Sequence, residues 1–270
     1  MDCNYCILQA YFNHPFLRLF ANLDEIFIQL REFLKRQEGR TIRLGTGEFA
    51  DSLALDPLTG FSPLLLKEIL PFSRVVVELK TKSAAIANLL SLDHANKFII
   101  SWSLNPASLV RSEEKGAASL TQRLRAARLC QEQGYRLGFH FDPIFFFSGW
   151  EELYRRTIQM LFEAVDPKRI AWISLGCFRY LPTLKPIIQN RSPRSRILYG
   201  EFIPAIDRKM RYLQPLRVEV YGKMRDWINR YGGEVLIYLC MENAAVWKRV
   251  FGYIPGDGHP TLAEMLDRRV

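Results

Sequence analysis

The sequence predicts an α/β protein whose core is a partial barrel of parallel strands. From residue 22 to residue 175, a segment with helical periodicity is followed by a strand-like segment five times in succession. The strand-like segments are apolar on both faces, which is typical of parallel strands that other elements cover. Because right-handed crossovers join such strands, successive strands are expected to be parallel.

The individual elements are assigned from apolar periodicity and from cap residues. Asn22 is a suitable N-cap for the first helix, with Glu25 at the capping-box position. Gly134 is a suitable residue to end the helix that precedes it. The predicted helices cover residues 22–38, 61–70, 83–91, 119–133 and 150–165. The predicted strands cover residues 41–44, 74–79, 97–104, 136–141 and 169–175.

The pattern changes after residue 180, where prolines become frequent. The sequence predicts a short helix over 181–190, a basic loop over 191–207 and a helix over 215–231. A strand over 235–240, a helix over 243–251 and a loosely held tail from residue 255 follow. We therefore expect two units, a partial barrel over residues 1–180 and a small C-terminal extension over 181–270 that is a candidate substrate-binding segment.

Polar residues follow the predicted strands at the ends where barrels of this type bind their ligands. These strand-end segments are Gly45 to Glu48, Lys80 to Lys82, Ser103 to Asn105, His140 to Asp142, and Gly176 to Arg179. The sequence therefore predicts a polar site at one edge of an otherwise apolar sheet.

The composition is that of a globular protein. Apolar residues make up 49% and charged residues 24% of the 270 residues, so extensive disorder and coiled coil are excluded. The longest apolar run is seven residues, Val235 to Met241, which is too short to span a bilayer. We expect a cytoplasmic protein, monomeric and without a membrane partner.

The charge is strongly basic and unevenly distributed. The formal net charge is +9, and the segment from Arg179 to Arg217 holds nine Lys or Arg residues against two acidic residues. Such a segment either binds a polyanion or forms a solvated basic face. The sequence alone favours neither interpretation over the other.

The cysteines indicate a metal or redox function more than a disulfide framework. There are five of them, an odd number in a chain of this size. Only Cys3 and Cys6 lie close together, in the sequence Cys3-Asn4-Tyr5-Cys6. A lone C-x-x-C is compatible with redox, zinc or iron–sulfur chemistry.

Several segments in order resemble the radical S-adenosylmethionine (SAM) enzymes of the spore photoproduct lyase family. The similar segments are CNYCILQ at residues 3–9, FLRLFANLDE at 16–25, Thr81-Lys82, Ser103-Leu104-Asn105 and GYRLGFHFDPI at 134–144. The resemblance extends over residues 1–190 and implies a TIM-like radical SAM barrel that holds a 4Fe–4S cluster and SAM. It also implies a nucleic-acid lesion as substrate and a separate electron donor.

The resemblance assigns roles to particular residues. Those implied to bind the cluster are Cys3 and Cys6. Those implied to bind SAM are Tyr5, Gly45, Gly47, Glu48, Lys82, Ser103 and Asn105. Arg211 and Tyr212 resemble the family's substrate-contacting pair. His140 and Asp142 share one face of their strand, and they either bind substrate or cofactor or form a structural pair. Each also has a simpler explanation, such as a tight turn, a surface charge, a cap or a buried structural pair.

Two departures from the family pattern bear on the mechanism. The first cysteine of the family's C-x-x-x-C-x-x-C motif would lie four residues before Cys3 and thus before Met1. The resemblance therefore implies a chain truncated inside the motif and lacking the first barrel strand. Glu48 occupies the position of the family's hydrogen-donating cysteine, and Ile7 that of its second tyrosine.

The remaining cysteines offer one candidate for a replacement hydrogen donor. Cys177 follows the last predicted barrel strand and either faces the pocket as a donor or is a small buried residue. Cys130 and Cys240 are expected in the core.

The expected function is thus a radical SAM lyase acting on nucleic acid. Two alternatives remain open: a nucleic-acid-binding barrel without a working cluster, and a radical SAM enzyme that acts on a peptide or small molecule.

Overall fold

A curled sheet of six parallel strands forms the centre of the molecule. The computed structural model describes residues 1–12, 14 and 16–270. The strands are β1 Asp2–Cys3, β2 Ile42–Gly45, β3 Val75–Thr81, β4 Phe98–Ser103, β5 Glu114–Lys115, β6 Arg136–Ile144, β7 Ile170–Cys177, β8 Arg179–Tyr180, β9 Phe202–Pro204, β10 Met210–Tyr212 and β11 Ile237–Leu239.

Helices connect these strands and cover the outside of the sheet. They are α1 Leu8–Tyr11, α2 Leu23–Arg36, α3 Asp56–Thr59, α4 Phe61–Ile69, α5 Ala87–Leu90, α6 Ala107–Glu113, α7 Leu120–Glu132, α8 Trp150–Ala164, α9 Leu184–Arg191, α10 Gln214–Gly232, α11 Ala244–Phe251 and α12 Leu262–Asp267. Among the described residues, no helix combines the length and the apolar character that crossing a membrane requires.

The strand order across the large sheet is β11-β7-β6-β4-β3-β2, and every neighbouring pair is parallel. The sheet curls into a half-barrel, which confirms the predicted fold class. The predicted strands and most of the predicted helices match the observed ones to within a few residues. Residues beyond 181 supply β11, the sixth strand, so the large sheet draws on both predicted units. Whether 181–270 is a separate unit stays a prediction.

The two faces of the half-barrel differ in chemistry because side chains alternate along a strand. The outward face is apolar and packs under the helices; its buried residues include Val77, Ile100, Phe139 and Ile173. The inward face carries polar groups towards the carboxyl ends and an apolar cluster at the other end. Leu266 of α12 is part of that cluster, so α12 closes the amino end of the barrel.

The C-terminal tail is well anchored, and the prediction of a loosely held tail is wrong. Thr261 and Glu264 form a capping box at the start of α12, which satisfies backbone groups at the helix start. Arg43 on β2 bonds the Asp267 carboxylate at 2.6 Å. The tail therefore belongs to the barrel.

The predicted helix over 83–91 is largely a loop, of which only α5 is helical. Side-chain oxygens occupy the backbone groups that a helix would use: Ser83 N–H donates to the Thr81 hydroxyl and Ala85 N–H to the Ser83 hydroxyl. Local bonds of this kind compete with helix formation.

The predicted basic loop over 191–207 is also more ordered than expected. Its residues 202–204 form β9, which pairs with β10, and β10 in turn pairs with β8 in a small antiparallel sheet.

Candidate active site at the carboxyl ends of the strands

The two N-terminal cysteines lie in a tight turn that follows β1. Cys6 N–H donates to the carbonyl oxygen of Cys3 at 3.1 Å, and the Gln9 amide donates to the carbonyls of Cys3 and Asn4 at 3.0 and 3.1 Å. Both thiols therefore belong to one short, internally bonded loop. Burial raises the pKa of Cys3 to about 11, so without a metal this residue is a thiol at neutral pH.

The donor set of this loop suits an iron–sulfur cluster in kind but not in number. Cysteine sulfurs are the usual ligands of such clusters, and a radical SAM cluster takes three. Within the described part of the chain, no group of three or more His, Cys, Asp or Glu side chains has metal-binding geometry. The structure therefore brings two candidate thiol ligands, Cys3 and Cys6, into one loop.

A buried carboxylate connects the cysteine loop to the barrel. Glu114 on β5 lies opposite Cys3 in the antiparallel β1–β5 pair, and its side chain forms an ion pair with Arg123 in which both side chains are fully buried. Tyr5 donates its hydroxyl to the same carboxylate, and Asn105 donates to it at 2.9 Å. Burial alone would raise the pKa of Glu114, but nearby cations outweigh it and the pKa is lowered.

This network determines what Tyr5 and Asn105 can do. Asn105 is almost completely buried, and its oxygen also accepts from the Tyr154 hydroxyl at 2.8 Å. Both ends of the Asn105 amide are therefore engaged within the protein. In this arrangement Asn105 holds Glu114 and Tyr154 in place, while the Tyr5 ring faces Lys82.

Lys82 lies beside the cysteine loop. Its ammonium is 5.8 Å from the centre of the Tyr5 ring, and its charge acts on both Cys3 and Glu114. Its backbone N–H donates to Asp51 at 2.7 Å, and the Asp51 carboxylate also accepts from Thr81 at 2.6 Å. Asp51, which was not singled out from the sequence, thus fixes the end of β3 and with it Lys82.

The glycine loop after β2 lies next to β3. A Cβ added to Gly47 would lie 2.9 Å from the Cβ of Lys80, whereas Gly45 has open space around it. Close packing therefore requires glycine at 47 but not at 45. Glu48 is exposed on this loop. Ser103 is buried at the end of β4, the next strand along.

His140 belongs to a polar network inside the barrel. Its Nε2 is 2.8 Å from Glu78 and its Nδ1 is 2.6 Å from the Ser174 hydroxyl. Glu78 also accepts from Ser101 at 2.5 Å and from Trp172 at 3.1 Å. Burial disfavours charge on His140 and lowers its pKa, so a neutral imidazole donates from Nε2 and accepts at Nδ1.

Glu78 is the acceptor that organises this network and was not identified from the sequence. Burial alone would raise its pKa, but the hydrogen bonds that His140, Ser101 and Trp172 donate stabilise the carboxylate and lower the pKa. His140 is therefore a satisfied group inside the barrel, and the simpler of its two sequence interpretations describes its observed contacts.

Asp142 lies two residues further along β6 and forms a bidentate pair with Arg179. The two guanidinium nitrogens are 3.0 and 3.2 Å from the carboxylate oxygens. The Nη2 atom of Arg179, which bonds Asp142, also lies 3.5 Å from the sulfur of Cys240. Burial alone would raise the pKa of Asp142, but Arg179 outweighs it and the pKa is lowered.

The structure places Cys177 and Cys240 differently from the sequence expectation. Cys177 is part of the outward apolar core, and its backbone N–H donates to the Tyr221 hydroxyl at 2.7 Å. Cys240 is only partly buried and lies beside Arg179. Both are at the mouth of the half-barrel, which is the opening at the carboxyl ends of its strands. The structure thus favours the buried interpretation of Cys177 over the donor interpretation. It places Cys240, which was expected in the core, in a partly exposed position.

Arg211 and Tyr212 are on β10 and lie near the end of β11. Arg211 bonds Asp207 at 2.6 Å and the carbonyl oxygen of Met241 at 3.1 Å. Tyr212 is almost completely buried and accepts from the backbone of Phe146 at 3.2 Å. This pair therefore supports the wall of the mouth on the side of β11.

The basic segment packs against the cysteine loop. Ser192 donates to Asn4 at 2.7 Å, and Arg191 bonds Asp2 at 2.8 Å. Arg194 and Arg196 are exposed in the same segment. The positive charge therefore flanks the candidate cluster loop as well as the mouth.

Comparisons with known proteins identify one family to which the chain is similar. A family model described as Spore photoproduct lyase matches residues 1–214. The spore photoproduct lyase of Geobacillus sp. (strain Y412MC61) is 29% identical over 199 residues, which cover 72% of this chain and 58% of that protein. The enzyme of Bacillus subtilis (strain 168) is 26% identical over 202 residues, or 74% of this chain and 59% of that protein. The chain thus spans less than two thirds of these relatives.

Solved structures of spore photoproduct lyase have the same fold. A cysteine-to-alanine mutant aligns with a TM-score of 0.82 and 25% identity, covering 88% of this chain and 73% of that one. A double mutant with bound AdoMet and dinucleoside spore photoproduct aligns with a TM-score of 0.81, 25% identity and the same coverage. Since the family model spans most of the sequence, the resemblance inferred from the residues is confirmed, and the chain belongs to the spore photoproduct lyase family.

Proposed function

We propose that this chain forms the barrel of a radical SAM enzyme that acts on a lesion in nucleic acid. The family match over residues 1–214 carries the proposal. It includes the cysteine loop, the glycine loop and the polar strand ends that meet at one mouth. A relative crystallised with AdoMet and a dinucleoside photoproduct supports both the cofactor and the class of substrate.

The 4Fe–4S cluster would be held by Cys3 and Cys6 together with a third thiolate. When bound, the cluster and SAM would supply the radical chemistry of the reaction. The protein's own contribution is to position the reactants and to keep water out. The short turn from Cys3 to Cys6 and the amide of Gln9 fix the orientation of the two thiols.

Lys82 is the residue best placed to hold the carboxylate of SAM. A lysine ammonium makes a strong charge-assisted bond to a carboxylate, and Lys82 lies beside both Tyr5 and the cysteine loop. Asp51 fixes its backbone. The glycine loop, Glu48 and Ser103 line neighbouring strand ends and would complete the binding site.

The substrate would enter at the mouth near Asp142, Arg179 and the β10 pair, Arg211 and Tyr212. A base buried in a duplex must be flipped out to reach such a site. Exposed arginines such as Arg194 and Arg196 would bind the phosphate backbone, which positions the nucleic acid without reading its sequence.

Cluster assembly and SAM cleavage test the proposal. We would compare the 270-residue chain with a variant extended so that a cysteine lies four residues before Cys3. After anaerobic reconstitution, the extended variant should contain iron and sulfide and form 5′-deoxyadenosine, whereas the shorter chain should do neither well. Replacing Cys6 with Ala in the extended variant is the matched control and should abolish both signals.

One observation favours a second function, a nucleic-acid-binding barrel without a cluster. Among the described residues only two thiols occur together at the mouth, and no larger metal-binding group is present. Under this alternative, the extended variant would bind DNA in a salt-sensitive way but hold no iron and form no 5′-deoxyadenosine.

A further inference from the structure

A thiol directly follows the last strand of the half-barrel: Cys240 is the first residue after β11. β11 pairs in parallel with β7, so that Tyr238 lies opposite Ser174 and Leu239 opposite Leu175. Ser174 faces the interior, where it contacts His140. Tyr238 packs against both the interior and the outward apolar cluster, whereas Leu239 is buried in the outward core only.

The same alternation places Cys240 on the interior side, one step above Tyr238 towards the mouth. Its backbone N–H still donates to the carbonyl of Leu175 at 2.8 Å, so the position continues the strand. Cys177, which ends the neighbouring strand, lies on the opposite face and is buried in the outward core. Of these two strand-end cysteines, Cys240 alone faces the mouth.

Charged groups from three strand ends surround the Cys240 sulfur. Arg179 contacts it at 3.5 Å, Asp142 is paired with that arginine, and the ammonium of Lys80 acts on it from β3. The loop that carries Gly47 packs directly against Lys80, because a Cβ on Gly47 would lie only 2.9 Å from the Cβ of Lys80. Cys240 and the loop bearing Glu48 therefore lie on two sides of one mouth, with Lys80 and Asp142 between them.

The surroundings keep Cys240 protonated. Burial and the nearby Asp142 carboxylate raise the pKa of Cys240 to about 12. A thiol carries a hydrogen atom that a thiolate lacks. The S–H bond is weaker than the C–H bonds of a nucleobase methyl group, so a thiol readily gives its hydrogen atom to a carbon radical.

Resting on the proposed function, we propose that Cys240 is the catalytic hydrogen-atom donor that completes the repaired product. The S–H bond of Cys240 breaks and a C–H bond forms on the carbon radical left after the lesion opens, which leaves a thiyl radical on sulfur. One electron from the low-potential reductant that also serves the cluster, with one proton from solvent, restores the thiol. Cys240, just after β11, would thus donate the hydrogen atom that Glu48 cannot donate, because a carboxylate has no weakly bonded hydrogen atom.

Thiol labelling tests the position of Cys240 without any turnover. The 270-residue chain is treated with a maleimide, with and without the dinucleoside spore photoproduct, and the modified cysteines are identified by mass spectrometry. The reaction is run at alkaline pH, because a maleimide reacts with the thiolate and the pKa of Cys240 is raised. The partly exposed Cys240 should then be labelled faster than the buried Cys177. At a photoproduct concentration one hundred times its measured Kd, labelling of Cys240 should slow roughly 100-fold. Unchanged labelling under saturation would overturn the inference.

Variants test the chemical role in the cluster-bearing protein. Cys240→Ala should still form 5′-deoxyadenosine in the first turnover but should lose the repaired base. In D2O the wild type should place deuterium in the new methyl group, since a thiol exchanges with solvent. Cys177→Ala, the same change on the opposite face of the neighbouring strand, should behave like the wild type.

The outcomes separate the two proposals. Normal repair by Cys240→Ala, with 5′-deoxyadenosine intact, would overturn the donor role and leave the proposed function standing. A wild-type protein that neither binds the photoproduct nor forms 5′-deoxyadenosine would overturn both.

Discussion

Replacing Arg123 with Met should destabilise the protein strongly, because it leaves Glu114 as a buried charge without its cation. Both side chains of this ion pair are fully buried. Breaking such a pair by removing one partner costs about 3–5 kcal/mol. Arg123 also donates to the carbonyls of Ser103 at 2.8 Å and Ala118 at 2.9 Å, which places the expected loss towards the upper end of that range.

The size of this loss can be compared with the whole stability of a domain. Native proteins are stable by about 5–15 kcal/mol, so the variant should lose a large share of its free energy of unfolding. For large domains, about 2–4 °C of Tm accompanies each kcal/mol, which gives a decrease in Tm of about 6–20 °C. Urea unfolding followed by tryptophan fluorescence and circular dichroism would measure the free energy directly.

Two further variants make the test specific. Arg128 lies on the same helix and pairs with Glu132 at the surface, where both side chains are at least half exposed; Arg128→Met should cost only about 0.3–0.5 kcal/mol. The double variant Arg123→Met with Glu114→Leu should recover only part of the loss. It removes the unpaired buried charge, but the donors of Tyr5 and Asn105 and the two backbone carbonyls lose their partners. If Arg123→Met were as stable as Arg128→Met, the interpretation of the Glu114 network would be wrong.

Two other predictions concern pH and salt. Because burial lowers the pKa of His140 below its usual 6.5, the unfolded chain takes up a proton that the folded chain resists, and stability should fall as pH drops below about 6.5. His140→Gln should remove up to about 1.4 kcal/mol per pH unit from this dependence, measured by urea unfolding between about pH 5 and 7.5. If Arg194 and Arg196 bind phosphates, replacing both with Ala should reduce the slope of log affinity for DNA against log salt by up to about 1.8, measured by fluorescence anisotropy.

Controls for these two predictions come from the same chain. A wild type and a His140→Gln variant with parallel stability profiles would contradict the assignment of a neutral, buried imidazole. Lys35 and Arg36 are exposed on α2, and replacing both with Ala should change the salt slope less than the change at Arg194 and Arg196. Equal slopes for the two double variants would remove the case for phosphate binding by the basic segment.

Much of the fold follows from local sequence patterns. The alternation of helix and strand is predictable because each element buries its own apolar stripe or face, and both periods are visible in the sequence. The glycine loop and Lys82 were identifiable because strand ends in a parallel barrel share one edge. These features depend on residues near one another in the chain.

The features that were missed depend on contacts between distant segments. The Glu114 network forms only because β1 pairs with β5, more than one hundred residues away. The inward position of Cys240 is hidden by the continuous apolar run from Val235 to Met241, which shows no alternation. Only the pairing of β11 with β7 decides which side of that run faces the mouth.

The position of β11 also determines how the protein would respond to losing its C-terminus. Cleavage between α10 and β11 would leave the backbone of β7 without a partner along Ile173 to Leu175. A long, apolar edge strand of that kind readily pairs with another chain. Since β7 is buried along its whole length, a protein shortened at this point should aggregate rather than persist as an open half-barrel.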